Sequence, residues 1–181
     1  MEIAVKLDTR DYLTLTLYRA SKSDMVRRKR KRSRNSFLVV YVVIALIYLF
    51  MGKFGTAALF LGGGVLWYAL FPAFERKRYI NHYQKYIKQT YGNTQDKVVH
   101  IDFQETYMHI REEEAEARVA WSEVEEIDEI PGYLIIRYKS GQAFIINKNK
   151  IENPAGLVGL FRHISATQDV PYQEEPDWKW T

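Results

Sequence analysis

Two long apolar runs, Phe37–Met51 and Phe54–Phe74, follow one another with only Gly52 and Lys53 between them. Basic clusters close both outer ends: Arg27, Arg28, Lys29, Arg30, Lys31, Arg32 and Arg34 before the first run, and Arg76, Lys77 and Arg78 after the second. A bilayer's hydrocarbon core is ~30 Å thick and a helix rises ~1.5 Å per residue, so roughly 20 apolar residues span it. The second run has 21 uncharged residues and meets this alone. The first has 15 strictly apolar residues, extended by Asn35 and Ser36 in front and Gly52 behind. Its Arg and Lys side chains are long enough to reach back to the headgroups. The pattern predicts a helical hairpin that dips through a membrane, with spans about 36–52 and 54–74. A core helix of a soluble protein would not usually stay uncharged over such a length beside a second such run. A signal peptide would carry its charges near the start, whereas 36 polar or mixed residues precede the first run here.

Charge sets the expected orientation. Residues 19–34 hold nine Lys and Arg against Asp24, while the tip between the runs carries only Lys53. Positive flanks stay on the cytoplasmic side, so both termini are expected there. A connection this short requires the two helices to pack, and small residues let helix backbones approach. Gly55, Ala58, Gly62, Gly63 and Gly64 are the candidates, either for packing within the hairpin or for a homo-oligomer face. Neither run contains Asp, Glu, Arg or His. A transport pathway or proton relay usually needs such a group inside the membrane, which argues against a channel or transporter.

Beyond about 40 hairpin residues, roughly 140 remain, enough for one compact domain with connecting helices. The chain has no cysteine, which excludes disulfides, thiol nucleophiles and thiolate metal sites. The net charge of +4 hides a separation: residues 100–130 carry eleven acids against Arg111 and Arg118. The basic stretch beside the hairpin can attract anionic lipid or serve only to set topology. Tethering and the acidic neighbouring segment argue against nucleic acid.

Along the chain, residues 2–6 suit a strand, and Asp8 or Thr9 can cap a helix starting near Arg10. Residues 12–18 fit both a strand alternation and a helical face; helix is preferred because it would run directly into the first span. After Pro72, residues 75–90 read as an amphipathic helix through Tyr79, Ile80, Tyr83, Tyr86 and Ile87, with Gly92-Asn93 as its stop. Tyr79 suits the membrane interface and the later tyrosines a packing face. Strands are expected over Val98–Phe103, Tyr107–Arg111 and Ala117–Trp121, with Glu112–Glu116 a solvated turn and Glu123–Glu129 one helical turn. Tyr133–Tyr138 and Ala143–Asn147 form a hairpin around Lys139-Ser140-Gly141-Gln142, and Lys148–Ile151 adds an edge. Pro154 starts a last helix with Leu157, Leu160, Phe161 and Ile164 on one stripe. The polar tail, 169–181, is expected to be mobile; Trp178 and Trp180 in it suit contact with the membrane or a partner, or equally a packed strand-like tail. The domains are then 1–35 (strand and basic juxtamembrane helix), 36–74 (hairpin), 75–92 (connecting helix), 93–168 (cytoplasmic domain) and 169–181 (tail).

The order of these elements, with Ala120-Trp121-Ser122-Glu123-Val124-Glu125-Glu126-Ile127, Tyr133-Leu134-Ile135-Ile136 and Phe144-Ile145-Ile146-Asn147-Lys148-Asn149-Lys150-Ile151, resembles the YcxB-like bacterial membrane proteins. In that family a Trp-Ser-acidic-aliphatic segment precedes a strand pair and then an Ile-Pro-Lys-aromatic segment. Here Asn147 stands where Pro is usual, and Ile151 takes the aromatic-like place. The resemblance implies an α+β membrane protein of the inner (cytoplasmic) membrane. Its C-terminal part would be a pleckstrin-homology-like antiparallel β domain closed by a C-terminal helix. It implies no reaction.

Catalytic chemistry is not legible. His82, His100, His109 and His163 form no ligand motif, although His100 and His109 can approach across a hairpin. No phosphate loop or nucleophile elbow is present. No catalytic residue, metal or cofactor is expected, and a calcium role for the Glu112–Glu116 run is disfavoured. Trp121 reads chiefly as a core anchor and, with Lys148 and Lys150, as a possible partner contact. The expected function is a non-enzymatic, membrane-anchored binding or regulatory module whose partners are membrane lipid and an unidentified protein. An immunity factor against a membrane-active toxin, and a subunit of a larger membrane complex, are the alternatives.

Overall fold

The computed structural model describes residues 1–91, 98–112 and 115–180. It is an α+β chain of two compact units, one of Met1–Thr16 with Gln84–Lys179 and one of Leu17–Tyr83 with Trp180–Thr181. The divisions fall inside two helices, after Thr16 and after Tyr83. The expected stop at Gly92-Asn93 lies outside the described residues, as do Glu113 and Glu114 of the acidic turn.

Strand β1 (Glu2–Lys6) leads into α1 (Thr9–Lys22), so residues 12–18 are helical. Asp8 caps this helix: its Oδ1 accepts from the backbone N–H of Arg10 at 2.8 Å and of Asp11 at 3.0 Å. The helix does not run on into the apolar segment, contrary to expectation. Ser23 interrupts it, and the Ser23 hydroxyl accepts from the Val26 N–H to start α2 (Asp24–Phe50). After three residues α3 (Phe54–Tyr91) begins, and it continues for 38 residues through Pro72. The expected separate helix over 75–92 is therefore the end of α3. Pro72 has no N–H to donate one turn back, but the flanking turns carry the helix across it.

The α2–α3 connection is a Schellman-type ending. Gly52 takes φ +71°, and the Lys53 N–H reaches back to the Tyr48 carbonyl at 2.9 Å. The two helices then run antiparallel. Tyr48 stacks on Phe60 with ring centroids 5.5 Å apart, and Phe37 lies 5.8 Å from Trp67 and 6.0 Å from Phe71. Ala45, Ala57 and Gly64 form the close contacts; a Cβ at Gly64 would sit 3.0 Å from Tyr41 Cβ. Gly63 also faces Tyr41, at a looser 3.7 Å. Gly55, Ala58 and Gly62 do not serve the hairpin: Ala58 is exposed, and a Cβ at either glycine would meet nothing within 4 Å. Both helices are long and apolar enough to cross a membrane, and of their most apolar stretches only 6% (α2) and 17% (α3) is buried.

The other unit contains two four-stranded sheets. The first has the order β1-β2-β3-β4, with β2 Val98–Phe103, β3 Tyr107–Arg111 and β4 Glu116–Ala120, all antiparallel. Period-2 alternation places Ile3, Val5, Val99, Ile101, Phe103 and Met108 inside. The second has the order β7-β6-β5-β8, with β5 Val124–Ile130, β6 Tyr133–Tyr138, β7 Ala143–Asn147 and β8 Tyr172–Glu174. Leu134, Ile135 and Ile136 are all buried, so β6 is covered on both faces. Helix α4 (Pro154–Gln168) inserts Leu157, Phe161 and Ile164 into the core, as the stripe predicts, with Leu160 only half-buried.

Three local expectations are corrected. Glu123–Glu129 is not a helical turn: a 3-10 turn at Trp121–Glu123 precedes strand β5, whose Val124, Ile127 and Ile130 pack inward. Lys148–Lys150 is a 3-10 turn, not an edge strand, and Asn147 caps it by accepting from the Asn149 N–H at 3.0 Å. A proline at 147 could accept no such bond through its side chain. The tail is not loose. Tyr172–Glu174 pairs in parallel with Ile127–Glu129, and Trp180 is buried.

Candidate functional site

Chemically distinctive side chains gather in two places, one in each unit. In the helical unit the basic stretch of α2 faces the part of α3 just beyond Phe71. Arg27, Arg28, Lys29, Lys31, Arg32, Arg76, Lys77 and Arg78 are exposed, and Arg30 and Arg34 are half-buried. Arg30 Nε donates to Glu75 Oε2 at 3.0 Å, and its guanidinium lies 4.9 Å from the Trp180 ring and 5.8 Å from the Tyr79 ring. Arg34 donates to the Tyr68 hydroxyl and stacks 4.0 Å over that ring. Glu75 is almost wholly buried. Among the described residues, its Oε1 and the Arg34 Nε have no hydrogen-bond partner.

Two cavities flank this basic stretch. One, of about 390 Å³, is lined by Met25, Val26, Lys29, Arg78, Tyr79, His82 and Tyr83. Burial, and to a lesser degree the neighbouring Tyr79, raises the Tyr83 phenol above its usual range. The other, of about 280 Å³, is lined by Arg27, Arg30, Lys31, Arg34, Phe71, Pro72 and Glu75.

In the β unit the polar side chains are matched to one another. Lys150 Nζ reaches Asp11 Oδ2 at 2.6 Å and Asp8 Oδ2 at 2.9 Å, and Asn147 Nδ2 donates to Asp11 Oδ1 at 2.8 Å. Burial works to raise the Asp8 carboxyl, but Lys150 and the N–H groups of Asp11 and Arg10 outweigh it and hold it below its ordinary value. Burial likewise opposes the Lys150 charge, and the two aspartates overcome it and raise that ammonium. Lys148 Nζ lies 2.7 Å from Glu129 Oε1, while the Tyr172 hydroxyl donates to Glu129 Oε2 at 2.5 Å. These bonds outweigh burial and keep the Glu129 carboxyl low. Burial first, then the Glu129 bond, drives the Tyr172 phenol well above its usual range. Arg137 pairs with Glu126 and, at 2.7 Å, with the buried Asp128.

The possible partner contacts thus fall in unexpected places. Trp121 has no exposed surface; its Nε1 donates to the Gln104 carbonyl at 3.0 Å, and its ring packs against Phe103 and Phe161. It is the core anchor and presents nothing to a partner. Lys148 and Lys150 are held by carboxylates, which leaves neither as a spare cation. Glu126, Asp128 and Glu129 are paired inward too, so the acidic surface narrows to exposed residues such as Glu105, Glu112, Glu123 and Glu125. His100 and His109 do share one face of the β2–β3 pair, two residues apart in register, His109 lying opposite Asp102. Each has a carboxylate, Glu2 at 3.9 Å from His100, and Glu116 bonded to His109. Among the described residues no three His, Asp or Glu side chains converge as metal ligands.

Sequence reasoning missed Glu75, Tyr68 and Trp180 at the basic end, and Asp11 with Asn147 in the β unit. Glu75 is the one acid between the second apolar run and Arg76-Lys77-Arg78, and that isolation was the available signal. Asp11 lies three residues after Asp8 and in the sequence reads only as part of the helix start.

These features define an α+β protein with a long apolar helical hairpin and a two-sheet unit bearing a C-terminal helix. Residues 103–164 match the family model described as YcxB-like protein. The match runs from the end of β2 to α4 and contains all three segments that carried the sequence resemblance. No curated protein and no solved structure matches the chain.

Proposed function

We propose that this chain is a non-enzymatic binding or regulatory module anchored in the bacterial inner membrane by the α2–α3 hairpin, with both termini in the cytoplasm. The observation that carries the reading is the unburied apolar surface of that hairpin. Val39, Val43, Leu46, Ile47, Leu59, Val65, Leu66 and Leu70 are all exposed. A soluble protein rarely leaves so large an apolar surface uncovered, and lipid is the solvent that suits it. Basic residues at both outer ends, against Lys53 alone at the tip, favour cytoplasmic termini.

The β unit is read as a pleckstrin-homology-like domain. Two sheets with a C-terminal helix packed into their core support this. Lys148 and Lys150, the cations expected to meet a headgroup, are paired internally, which disfavours lipid as its ligand, and its exposed glutamates suit a protein partner of basic character.

Alkaline extraction of membranes tests the anchor, with full-length protein expected to stay in the pellet until detergent is added. Crosslinking in intact membranes, with Glu123→Lys and Glu125→Lys as paired variants, tests the partner. A specific adduct that both charge reversals remove supports the binding reading, and an adduct indifferent to them counts against it.

A further inference from the structure

The 280 Å³ cavity at the basic end of the hairpin combines features that one class of ligand satisfies together. Arg27, Arg30 or Lys31, and Arg34 recur at three- and four-residue spacing, so one face of α2 turns all of them toward α3. Four cations meet two carboxylates there: Glu75, held by Arg30, and Asp24, which pairs with Arg27 at 2.6 Å. Positive charge is left over.

Two further atoms are unsatisfied in the opposite senses. Arg34 Nε is a buried donor without an acceptor, and Glu75 Oε1 is a buried acceptor without a donor. Glu75 is 3% exposed overall but borders the cavity, so a donor seated there is the nearest source of the missing bond. Phe71 and Pro72 give the cavity an apolar wall where the long apolar run of α3 ends.

We propose that this cavity holds the headgroup of a hydroxyl-bearing anionic phospholipid, of the phosphatidylglycerol type. The phosphodiester meets Arg27, Lys31 and Arg34, and a headgroup hydroxyl donates to Glu75 Oε1. Inorganic phosphate would answer the cations, but it sets more negative charge against Glu75 than a phosphodiester does and has no acyl chain for the apolar wall. Phosphatidylcholine has no headgroup donor and no net charge. The acyl chains would follow the apolar wall into the bilayer, a step that rests on the membrane reading of the hairpin.

The test uses full-length protein taken from the membrane fraction into detergent, with bound lipid counted by native mass spectrometry. The probes are short-chain phosphatidylglycerol, phosphatidic acid and phosphatidylcholine, plus glycerol 3-phosphate as a chain-free competitor. Phosphatidylglycerol is expected to bind about tenfold more tightly than phosphatidylcholine. Lys31→Gln and Arg34→Gln should weaken both anionic lipids, whereas Glu75→Ala should erase only the preference for phosphatidylglycerol over phosphatidic acid. Arg28→Gln, which removes an exposed cation outside the cavity, should weaken both anionic lipids distinctly less. Should Glu75→Ala fail to fold, the exposed Lys31 and Arg28 variants still decide the anion site, and wild-type protein that does not prefer phosphatidylglycerol over phosphatidic acid overturns the hydroxyl contact. Equal binding of all three lipids, or equal effects of Arg28→Gln and Lys31→Gln, would overturn the proposal. Displacement by glycerol 3-phosphate at the same concentration as by lipid would assign the site to a soluble phosphate instead. A chain that never enters the membrane fraction defeats the anchor before any lipid is added, so the two failures are distinct.

Discussion

Asn147 Nδ2 donates to the buried Asp11 Oδ1 at 2.8 Å, joining the end of β7 to the first turn of α1 across 136 positions of sequence. Lys150 takes the other carboxylate oxygen, so Asp11 is satisfied on both sides. Truncating Asp11 to Ala leaves Asn147 without an acceptor and removes one of the two counter-charges of Lys150. Loss of such a buried partner costs about 1–3 kcal/mol, and more for a charged group. Asp11→Ala is expected to lower the unfolding free energy of the purified protein, read from denaturant titration, by about 3 kcal/mol. Asp8→Ala, at an exposed carboxylate, should cost distinctly less.

Trp121 provides a second test. Its ring fills the space between Phe103 and Phe161, and its Nε1 satisfies the Gln104 carbonyl. Trp121→Ala should destabilise by about 3–5 kcal/mol, the usual cost of emptying a large aromatic site. Trp121→Phe restores part of the volume but not the hydrogen bond and should fall between the two. A Trp121→Ala protein that melts like wild type would refute the core assignment.

The ion pairs of the β unit predict a stability profile with two shoulders. Asp8 and Glu129 have depressed carboxyl pKa values in the folded state. Their contribution is therefore complete above the unfolded carboxylate pKa, near 4, and is lost as pH falls through the lower folded values. Lys150 is raised, so its contribution is complete below the unfolded lysine pKa, near 10.4, and fades as pH rises through the folded value. Tyr138, pushed by burial up to about 12, adds to the alkaline loss above pH ~10. Thermal melts of detergent-solubilised protein from pH 3 to 11 should give a plateau between these limits. Lys150→Met should flatten both shoulders in part.

Gly64 and Gly62 differ by two positions and by their surroundings. A Cβ at Gly64 meets Tyr41 at 3.0 Å, while one at Gly62 meets nothing. Gly64→Leu should wedge the helices apart at a cost of about 1–3 kcal/mol, the range for overpacking. Gly62→Leu should leave the melting temperature of the monomer nearly unchanged. If Gly62→Leu instead alters crosslinked species in native membrane, the outward stripe of Gly55, Ala58 and Gly62 contacts a second chain.

Much of the fold could be read in the residues. The two apolar runs, the β6–β7 hairpin and the Pro154 helix start each rest on a strong local signal: length without charge, period-2 alternation around a Gly turn, and a proline in a first helical turn. Val124–Ile130 misled because Val124, Ile127 and Glu-rich neighbours fit a helical spacing. The strand is set by pairing with β6 across the two-residue Pro131-Gly132 turn, a hairpin signal that the helical spacing obscured. Gly55, Ala58 and Gly62 read as a stripe of small residues, but the sequence does not show that it turns away from the partner helix. Small residues mark where helices can approach, and the rotation that selects Ala57 and Gly64 instead comes from the aromatic contacts of Tyr41, Tyr48 and Phe60. Trp180 and Glu75 meet partners far along the chain, and composition gives no hint of them.

The absence of native cysteine makes the central claim directly measurable. Single cysteines at Lys53 in the hairpin tip, Ser140 in the β6–β7 turn and Lys179 near the C-terminus can be probed in intact cells. The reagent is a maleimide that crosses the outer but not the inner membrane. The account predicts labelling of Lys53→Cys alone, with Ser140→Cys and Lys179→Cys reacting only after the inner membrane is opened. Labelling of Ser140→Cys or Lys179→Cys in intact cells, or protection of Lys53→Cys, would contradict a hairpin that enters the bilayer from the cytoplasm and returns.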